Sequence, residues 1–459
     1  MKNNKLIKLI EEKIQRNKEI KLIKEIADEL KLPLYLVGGF LRDAILSRDN
    51  IDLDFIVNGE PDKISKKAAE RLRAKMIVMD KEEIVNYRVV KKGLSLDFAK
   101  VFQGNIHKDL ARRDFTINSI AYSLSEKILY DDFYGLNDIE KKIIKMISDN
   151  TFDDDPLRML RAVRYFTTLE GFSIEKRTLS FIASKNDQIS RSSSERIKEE
   201  MDKIILSRNP VNGLVLLIET KLLEILFSGK GSGRAIKMLE TQEKKVNLIS
   251  ILKTLSELID KVFFDGSQMV ELKYTSDDKK VIYYSAIISF SITGNFEKLC
   301  SLEAETKNIS FALKNMRFSN LEISRICKVI GGLKYFFELF ETKELEIDIR
   351  KLIHNTRKDV LILMVLGNAI LRTLGKENYK KTIIVRTMIL RIFNNEGDAI
   401  INLQKLIDGR DIIRILKCKE GERVGKILKK IKELQIENKI STRKEAIELV
   451  EKIRVDSLN

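Results

Sequence analysis

The sequence predicts an α+β protein in which a mixed α/β segment is followed by a largely helical remainder. Three observations predict this. Between residues 34 and 148, short β-rich runs (YLVGG, DLDFIV, KMIVM, YRVV, LSLDFA, KILYDDF) alternate with helical stretches such as KISKKAAERLRAK. Beyond Asn150 helical periodicity takes over, and Pro156 and Pro210 are the last two prolines. A chain of 459 residues is also too long for one ordinary core, so roughly three or four units are expected.

At the N-terminus, Leu6, Ile7, Ile10 and Ile14, then Ile20, Ile23, Ile26 and Leu30, recur at helical spacing. They predict an amphipathic helix over the first thirty or so residues, interrupted near Asn17. Charges every few residues exclude a signal peptide or a membrane span there. Seams are expected at SRNPVNG (residues 207–213), FSGKGSGRA (227–235) and NNEGDA (394–399). No fixed-period repeat is apparent, which argues against a solenoid.

Lys plus Arg number 84 against 68 Asp plus Glu, a formal charge of +16 that favours a polyanionic partner, nucleic acid first. A lysine-rich solubilising surface explains the charge equally well, so motifs must decide. Cys300, Cys327 and Cys418 are scattered without CxxC spacing, which argues against disulfides or zinc and fits a reducing cytoplasm. With only His107 and His354, no multi-histidine metal centre can be built, and any metal must rest on carboxylates.

Three constellations carry chemistry. In GGFLRDAILSRDNIDLDFIV (residues 38–57), strand alternation points Asp52 and Asp54 the same way while Ile51, Leu53 and Phe55 enter the core. Two adjacent carboxylates repel each other, and a divalent cation such as Mg²⁺ relieves that cost. Gly38 and Gly39 sit between a strand and a helix, where a backbone without Cβ atoms can approach an anion, and Arg42 follows one turn later. A plain strand-to-helix turn and an exposed strand edge are the bland alternatives. In DLARRDFTINSIAY (109–122), Arg112, Arg113 and Asp114 could meet phosphates and ribose hydroxyls, or form an ordinary ion pair. LSLDFAKV adds Asp97, a third carboxylate if its strand pairs beside IDLDFIV. In DDDPLRMLRAVRYF (153–166), Asp155, Arg158, Arg161 and Arg164 step along one helix face beside Leu157, Leu160, Val163 and Phe166. Capping alone explains the aspartates, but an Asp–Arg pair can also hydrogen-bond a base edge.

In this order the three constellations resemble the class II tRNA nucleotidyltransferases, the CCA-adding enzymes, and the bacterial poly(A) polymerases that share their polymerase β-like head. FYGLNDIEKKII, EGF after the third motif, and SSERIKEEMDKII extend the likeness over residues 34–206. Residues 406–450, beginning LIDGRDIIRILKCKEG, resemble a bacterial tail segment. The resemblance implies an N-terminal leader (1–30), a nucleotidyltransferase head (31–148), and an all-helical neck (149–215), body (216–390) and tail (391–459). It implies two Mg²⁺ ions, CTP and ATP as substrates, and the tRNA 3′ end with its acceptor and T arms as partner. It also implies roles: Asp52, Asp54 and Asp97 as catalytic carboxylates, the first two holding metal. Gly38, Gly39, Arg42, Asp43, Arg113, Arg161 and Arg164 would surround the nucleotide, with Asp114 near the ribose. Asp155 and Arg158 would read the base, and Asp154 would orient Arg158.

Some residues depart from that pattern. Asp154 replaces a usual glutamate, Phe133 and Tyr134 precede Gly135 where a glycine pair is more usual, Lys145 replaces a common arginine, and Phe102 stands where an arginine would follow Asp97. Most importantly, the chain runs almost directly from Asp97 to Arg112, without the loop the family's CCA-adding members carry there. Within the family that absence marks CC-adding enzymes, which leave the final adenosine to a separate A-adding enzyme. CC addition is therefore favoured over full CCA addition, with poly(A) or A-only addition third. A catalytically inactive RNA-binding relative is disfavoured by the intact Asp52, Asp54, Arg113 and Arg158, and a small-molecule nucleotidyltransferase would not need the basic helical remainder. The lysine-rich stretch 417–432 reads as a solvated face or as an RNA contact.

Overall fold

A computed structural model describes residues 2–48, 52–81, 84–227, 241–259, 261–264, 269–293, 306–375 and 379–456. The chain divides into two compact units, one of residues 1–193 with 220–222, the other of 194–219 with 223–459.

In the first unit the two predicted N-terminal helices are α1 (Lys2–Arg16) and α2 (Lys18–Leu30). The break falls at Asn17, whose side chain accepts from the Ile20 N–H at 2.9 Å and so caps α2. Ile10, Ile20, Ile23 and Ile26 are fully buried, as their spacing requires. A seven-stranded sheet follows, in the order β3-β4-β5-β2-β1-β6-β7. Its strands are β1 (Leu34–Val37), β2 (Asp52–Val57), β3 (Lys75–Lys81), β4 (Ile84–Lys91), β5 (Leu94–Lys100), β6 (Ala121–Ser123) and β7 (Leu129–Tyr130). All neighbours are antiparallel except β2 and β5, which run parallel.

Period-2 alternation splits the sheet chemically. Leu53, Phe55, Leu96 and Phe98 are buried, and the Phe55 and Phe98 rings stack at 5.2 Å. Helix α4 (Pro61–Leu72) packs on β4 and β5 and also contacts α2. On the opposite face, Val37, Ile56 and Ala121 form an apolar cluster with Ile106 and Leu110 of α5 (Ile106–Ala111), and Asp52 and Asp54 share that face's alternation. Ile51 lies outside the described residues. Helices α3 (Gly39–Ile45), α6 (Gly135–Glu140), α7 (Thr151–Asp154), α8 (Arg158–Thr168) and α9 (Lys176–Ser184) complete the unit, with a short parallel pair, β8 (Ile143–Ile144) and β9 (Ser173–Ile174).

Among the described residues, the second unit is helical apart from one small strand pair, Val262–Phe264 with Met269–Glu271. That pair and β9 correct the all-helical expectation for the neck and body: VFF is β-branched and aromatic, a composition that favours a strand. The seam expected at 394–399 is instead continuous helix, Tyr379–Ile401, because a single helical glycine costs only about 1 kcal/mol and does not by itself break a packed helix. The seam at 207–213 lies where Ser194–Ile205 gives way to a helix opening on Pro210, while 228–235 of the glycine-rich seam falls outside the described residues. The last three helices, Gly409–Leu416, Glu422–Ile436 and Arg443–Asp456, close around Ile412, Val424, Ile427, Ile431, Ala446 and Val450. Among the described residues no helix is long and apolar enough to cross a membrane.

Candidate active site

The chain leaves β1 at Val37 and turns into α3 through Gly38, which has φ +71° and ψ −131°. Its N–H donates to the Ile120 carbonyl at 3.3 Å. A Cβ placed on Gly38 would lie 3.3 Å from Arg113 Nη1, tight enough that the guanidinium must shift slightly, and 3.5 Å from Asp54 Oδ2, while φ +71° makes any side chain there strained. Gly39 is the first residue of α3.

Asp54 is partly buried and Asp52 exposed. Burial pushes the Asp54 carboxyl above the usual aspartate range; Arg113 and Arg161 pull it back down, while the like charges of Asp97 and Asp52 raise it further. Asp97 stands beside Asp54 on the parallel partner strand, and both of its oxygens are taken: Arg88 donates from Nε and Nη2 at 2.7 Å each. The expected third carboxylate therefore arrives at the expected place already paired. Among the described residues, no group of three or more His, Cys, Asp or Glu side chains could hold a metal ion. Asp52 and Asp54 offer hard oxygen donors on one strand face under mutual repulsion, which fits a divalent cation bound mainly through a few carboxylates and the phosphates of a ligand.

The arginines are more engaged than the sequence predicts. Arg42 and Asp43 are both buried, and Arg42 is bidentate to Asp43 at 3.0 and 2.9 Å. Arg42 Nη1 also donates to Asn118 Oδ1 at 2.7 Å, and the guanidinium lies 5.0 Å over the Tyr165 ring. The aspartate beside it, the amide of the second motif and a buried ring hold Arg42 inward, beside the turn at Gly38 where the sequence expectation places it near a phosphate. Arg113 Nη2 donates to Asp109 Oδ2 at 3.1 Å, leaving Nη1 toward Gly38 and Asp54 and Nε buried without a hydrogen-bond partner. Arg112 also binds the buried Asp109, with Nη2 at 2.6 Å, and stacks 5.1 Å over the Phe102 ring.

Asp114 is likewise buried. Its Oδ1 accepts from the Phe115 N–H (2.8 Å) and Asn118 Nδ2 (3.0 Å), and Arg161 Nη2 lies 2.7 Å from Oδ2. Burial alone would raise its pKa, but Arg161, Asn118, the Phe115 N–H and Arg158 together hold the carboxyl below its usual range. Arg161 Nη2 also donates to the Tyr165 hydroxyl at 3.2 Å, and the Arg164 guanidinium lies 4.5 Å from the Tyr165 ring centroid. The Asp155 side chain accepts from the Leu157 N–H at 3.2 Å, an Asx-type turn leading into α8 rather than a helix cap. Arg158 donates to the backbone carbonyls of Arg112 (2.6 Å), Arg113 (3.3 Å) and Thr151 (3.2 Å), tying α8 to the second motif. Asp154, the last residue of α7, is 3.9 Å from Arg158, the first of α8, across the break at the extended Asp155.

Three contributors escaped the sequence reading. Asp109 anchors both arginines of the second motif. Tyr165 is a buried hub beneath three arginines: burial would raise its phenol, yet Arg161, Arg164 and Arg42 outweigh this and hold it below its ordinary value. Arg88 was legible in principle. A two-residue turn at Lys92 and Gly93 pairs Lys91 with Leu94, and counting back places Arg88 opposite Asp97.

Residues 34–145 match the Poly A polymerase head domain family, 171–230 the family described as "Probable RNA and SrmB- binding site of polymerase A", and 297–450 the tRNA nucleotidyltransferase domain 2 family. The chain is 28% identical to a CC-adding tRNA nucleotidyltransferase of Synechocystis sp., over 90% of this chain and 91% of that one. It is 26% identical to a CCA-adding enzyme of Lactococcus lactis subsp. cremoris, over 96% and 97%. The fold is shared with the Thermotoga maritima CCA-adding enzyme, solved in complex with a tRNA: TM-score 0.64, 22% identity, 98% of both chains covered.

Proposed function

Because the chain belongs to the family of CCA-adding tRNA nucleotidyltransferases and bacterial poly(A) polymerases, we propose that it adds cytidines to the tRNA 3′ end from CTP, stopping at CC. The observation that carries the choice of CC is the connection after β5. Only residues 101–105 separate Lys100 from α5, and they form a single 3-10 turn, Phe102–Gly104, before Asn105 caps the helix through the His107 and Lys108 N–H groups. There is no room in it for the longer loop that the family resemblance associates with the switch from C to A. The likeness to a full-length CC-adding relative supports the same reading.

Asp52 and Asp54 would hold Mg²⁺, which when bound acidifies the 3′-hydroxyl and steadies the triphosphate. The chain's own groups do the rest. Gly38 lets the backbone stand close to the carboxylates, and Arg113, fixed by Asp109, places its charge beside Asp54 where phosphate oxygens would lie. The RNA 3′-oxygen attacks the α-phosphorus, the bond to the β-phosphate oxygen breaks, and pyrophosphate leaves. An ion pair from Arg161 to Asp114 and a hydrogen bond from Arg161 to the Tyr165 hydroxyl join the contacts of Arg158 in fixing α8 against the second motif. Base reading by Asp155 and Arg158 would require Arg158 to exchange part of its carbonyl contacts for the base edge, with Asp154 3.9 Å away at the end of α7 to guide it.

Incubation with tRNA lacking its 3′ CCA, Mg²⁺, CTP and ATP, followed by sequencing of product ends, tests the reading. Arrest after two cytidines supports it, and completion to CCA overturns it. Full CCA addition is the second reading, favoured by the CCA-adding relative that the chain matches over almost its whole length.

A further inference from the structure

Asp97 occupies the same rung of the sheet as Asp54, directly opposite Arg88 on β4. The Arg88–Asp97 pair is bidentate, with both bonds at 2.7 Å, the strongest geometry an arginine and a carboxylate adopt. It cannot relax by sliding. The β4–β5 register is set by the turn at Lys92 and Gly93, and a one-residue slip would carry Arg88 to the other face of the sheet. Arg88 also lies close enough to Asp54 and Asp52 for their charges to raise its pKa, together with its bond to Asp97. The structure thus holds three neighbouring carboxylates of which one is already neutralised from the side away from Arg113.

We propose that Arg88 is a positioning residue that withholds Asp97 from the divalent cation, so that Asp52 and Asp54 alone bind it and tight binding waits for the triphosphate. The inference rests on the reading that Asp52 and Asp54 hold the metal. For Asp97 to become a ligand, two charge-assisted hydrogen bonds would have to break and a half-buried guanidinium would lose its partner. An ion held by only two carboxylates gains most of its remaining ligands from water or from phosphate.

The test uses the full chain without nucleotide and Mn²⁺ as probe, measuring affinity from the free-ion electron paramagnetic resonance signal and inner-shell waters from water-proton relaxation. R88L should tighten Mn²⁺ binding roughly tenfold, about 1.4 kcal/mol, and lower the number of inner-shell waters as Asp97 replaces one. In R88L/D97N the waters should return to the wild-type count. D97N alone should leave that count unchanged. Tighter binding in R88L with no loss of water would reveal a charge effect only and overturn the proposal. So would a rise in bound water in D97N, which also decides the matter if R88L does not fold. D54N separates the two levels: if it leaves Mn²⁺ binding intact, the metal reading itself falls, whereas loss of binding in D54N with an unresponsive R88L sinks only the role of Arg88.

Discussion

Replacing Gly38 by alanine should damage catalysis through a contact that the structure locates. Two costs are separable. The first is conformational: a side chain at φ +71° and ψ −131° is strained by about 1–3 kcal/mol. The second is local: the new methyl would stand 3.3 Å from Arg113 Nη1 and 3.5 Å from Asp54 Oδ2, so the guanidinium must give by a few tenths of an ångström. Misplacement by about 1 Å at a reacting centre can cost on the order of a hundredfold, which makes roughly tenfold a reasonable expectation for this smaller shift. Gly93 supplies the control, since it has φ +77° in the β4–β5 turn and a Cβ placed there would meet nothing within 4 Å. G93A should therefore lower the melting temperature by a similar few degrees, about 2–4 °C per kcal/mol for a domain of this size. Its single-turnover rate of cytidine incorporation should stay near wild type, while that of G38A falls about tenfold. Equal rates for the two variants, or a G38A rate within about twofold of wild type, would refute the argument that Gly38 is required for access to Arg113 and Asp54.

Other expectations follow from the electrostatics. Because burial and like charges raise the Asp54 pKa, the folded protein is favoured when Asp54 is protonated, and that advantage is lost as pH rises through the folded pKa. D54N should then abolish incorporation yet raise the metal-free melting temperature at pH 7 more than at pH 4, and added Mg²⁺ should stabilise only the wild type. In the helical unit, Lys198 contacts Asp202 and Glu322 at 2.7 and 3.0 Å. Burial would raise the Glu322 carboxyl, but the Ser319 N–H, Lys198 and the Ser319 hydroxyl hold it at about 2. The stability this contributes is present above the ordinary glutamate range and fades as pH falls from about 4.5 toward 2, so E322Q should cost about 2 kcal/mol at pH 7 and far less at pH 3 by denaturant titration. Lys426, Lys429 and Lys430 are exposed on Glu422–Ile436, whose Val424, Ile427 and Ile431 face the tail core. Replacing all three lysines by glutamine should leave the fold intact, weaken tRNA binding and flatten its salt dependence; an unchanged salt slope would mark them as a solvated face.

Much of the head was legible because its elements follow local rules. Alternation placed Leu53 and Phe55 inside and Asp52 and Asp54 on the other face, and an asparagine between two apolar periods marked the helix break at Asn17. The strand run VFF is hidden within a region of helical composition, and Gly397 in the helix Tyr379–Ile401 mimics a seam. Both errors have one cause: composition over a few residues states a preference of about 1 kcal/mol, which packing readily overrides.

The sequence by itself determined which groups reach the site: a glycine pair between strand and helix, two carboxylates on one strand face, and a helix stepping arginines past the second motif. Only the tertiary structure decided how those charges are shared. It gave Asp97 to Arg88, Arg42 to Asp43 and Asn118, Asp114 to Arg161, and Arg158 to the carbonyls of Arg112 and Arg113. Periodicity fixes the direction of a side chain relative to its own backbone. A charge pair is decided by which oxygen lies nearest through space, and the partners of Arg42 and Arg158 come from segments 76 and 46 residues away.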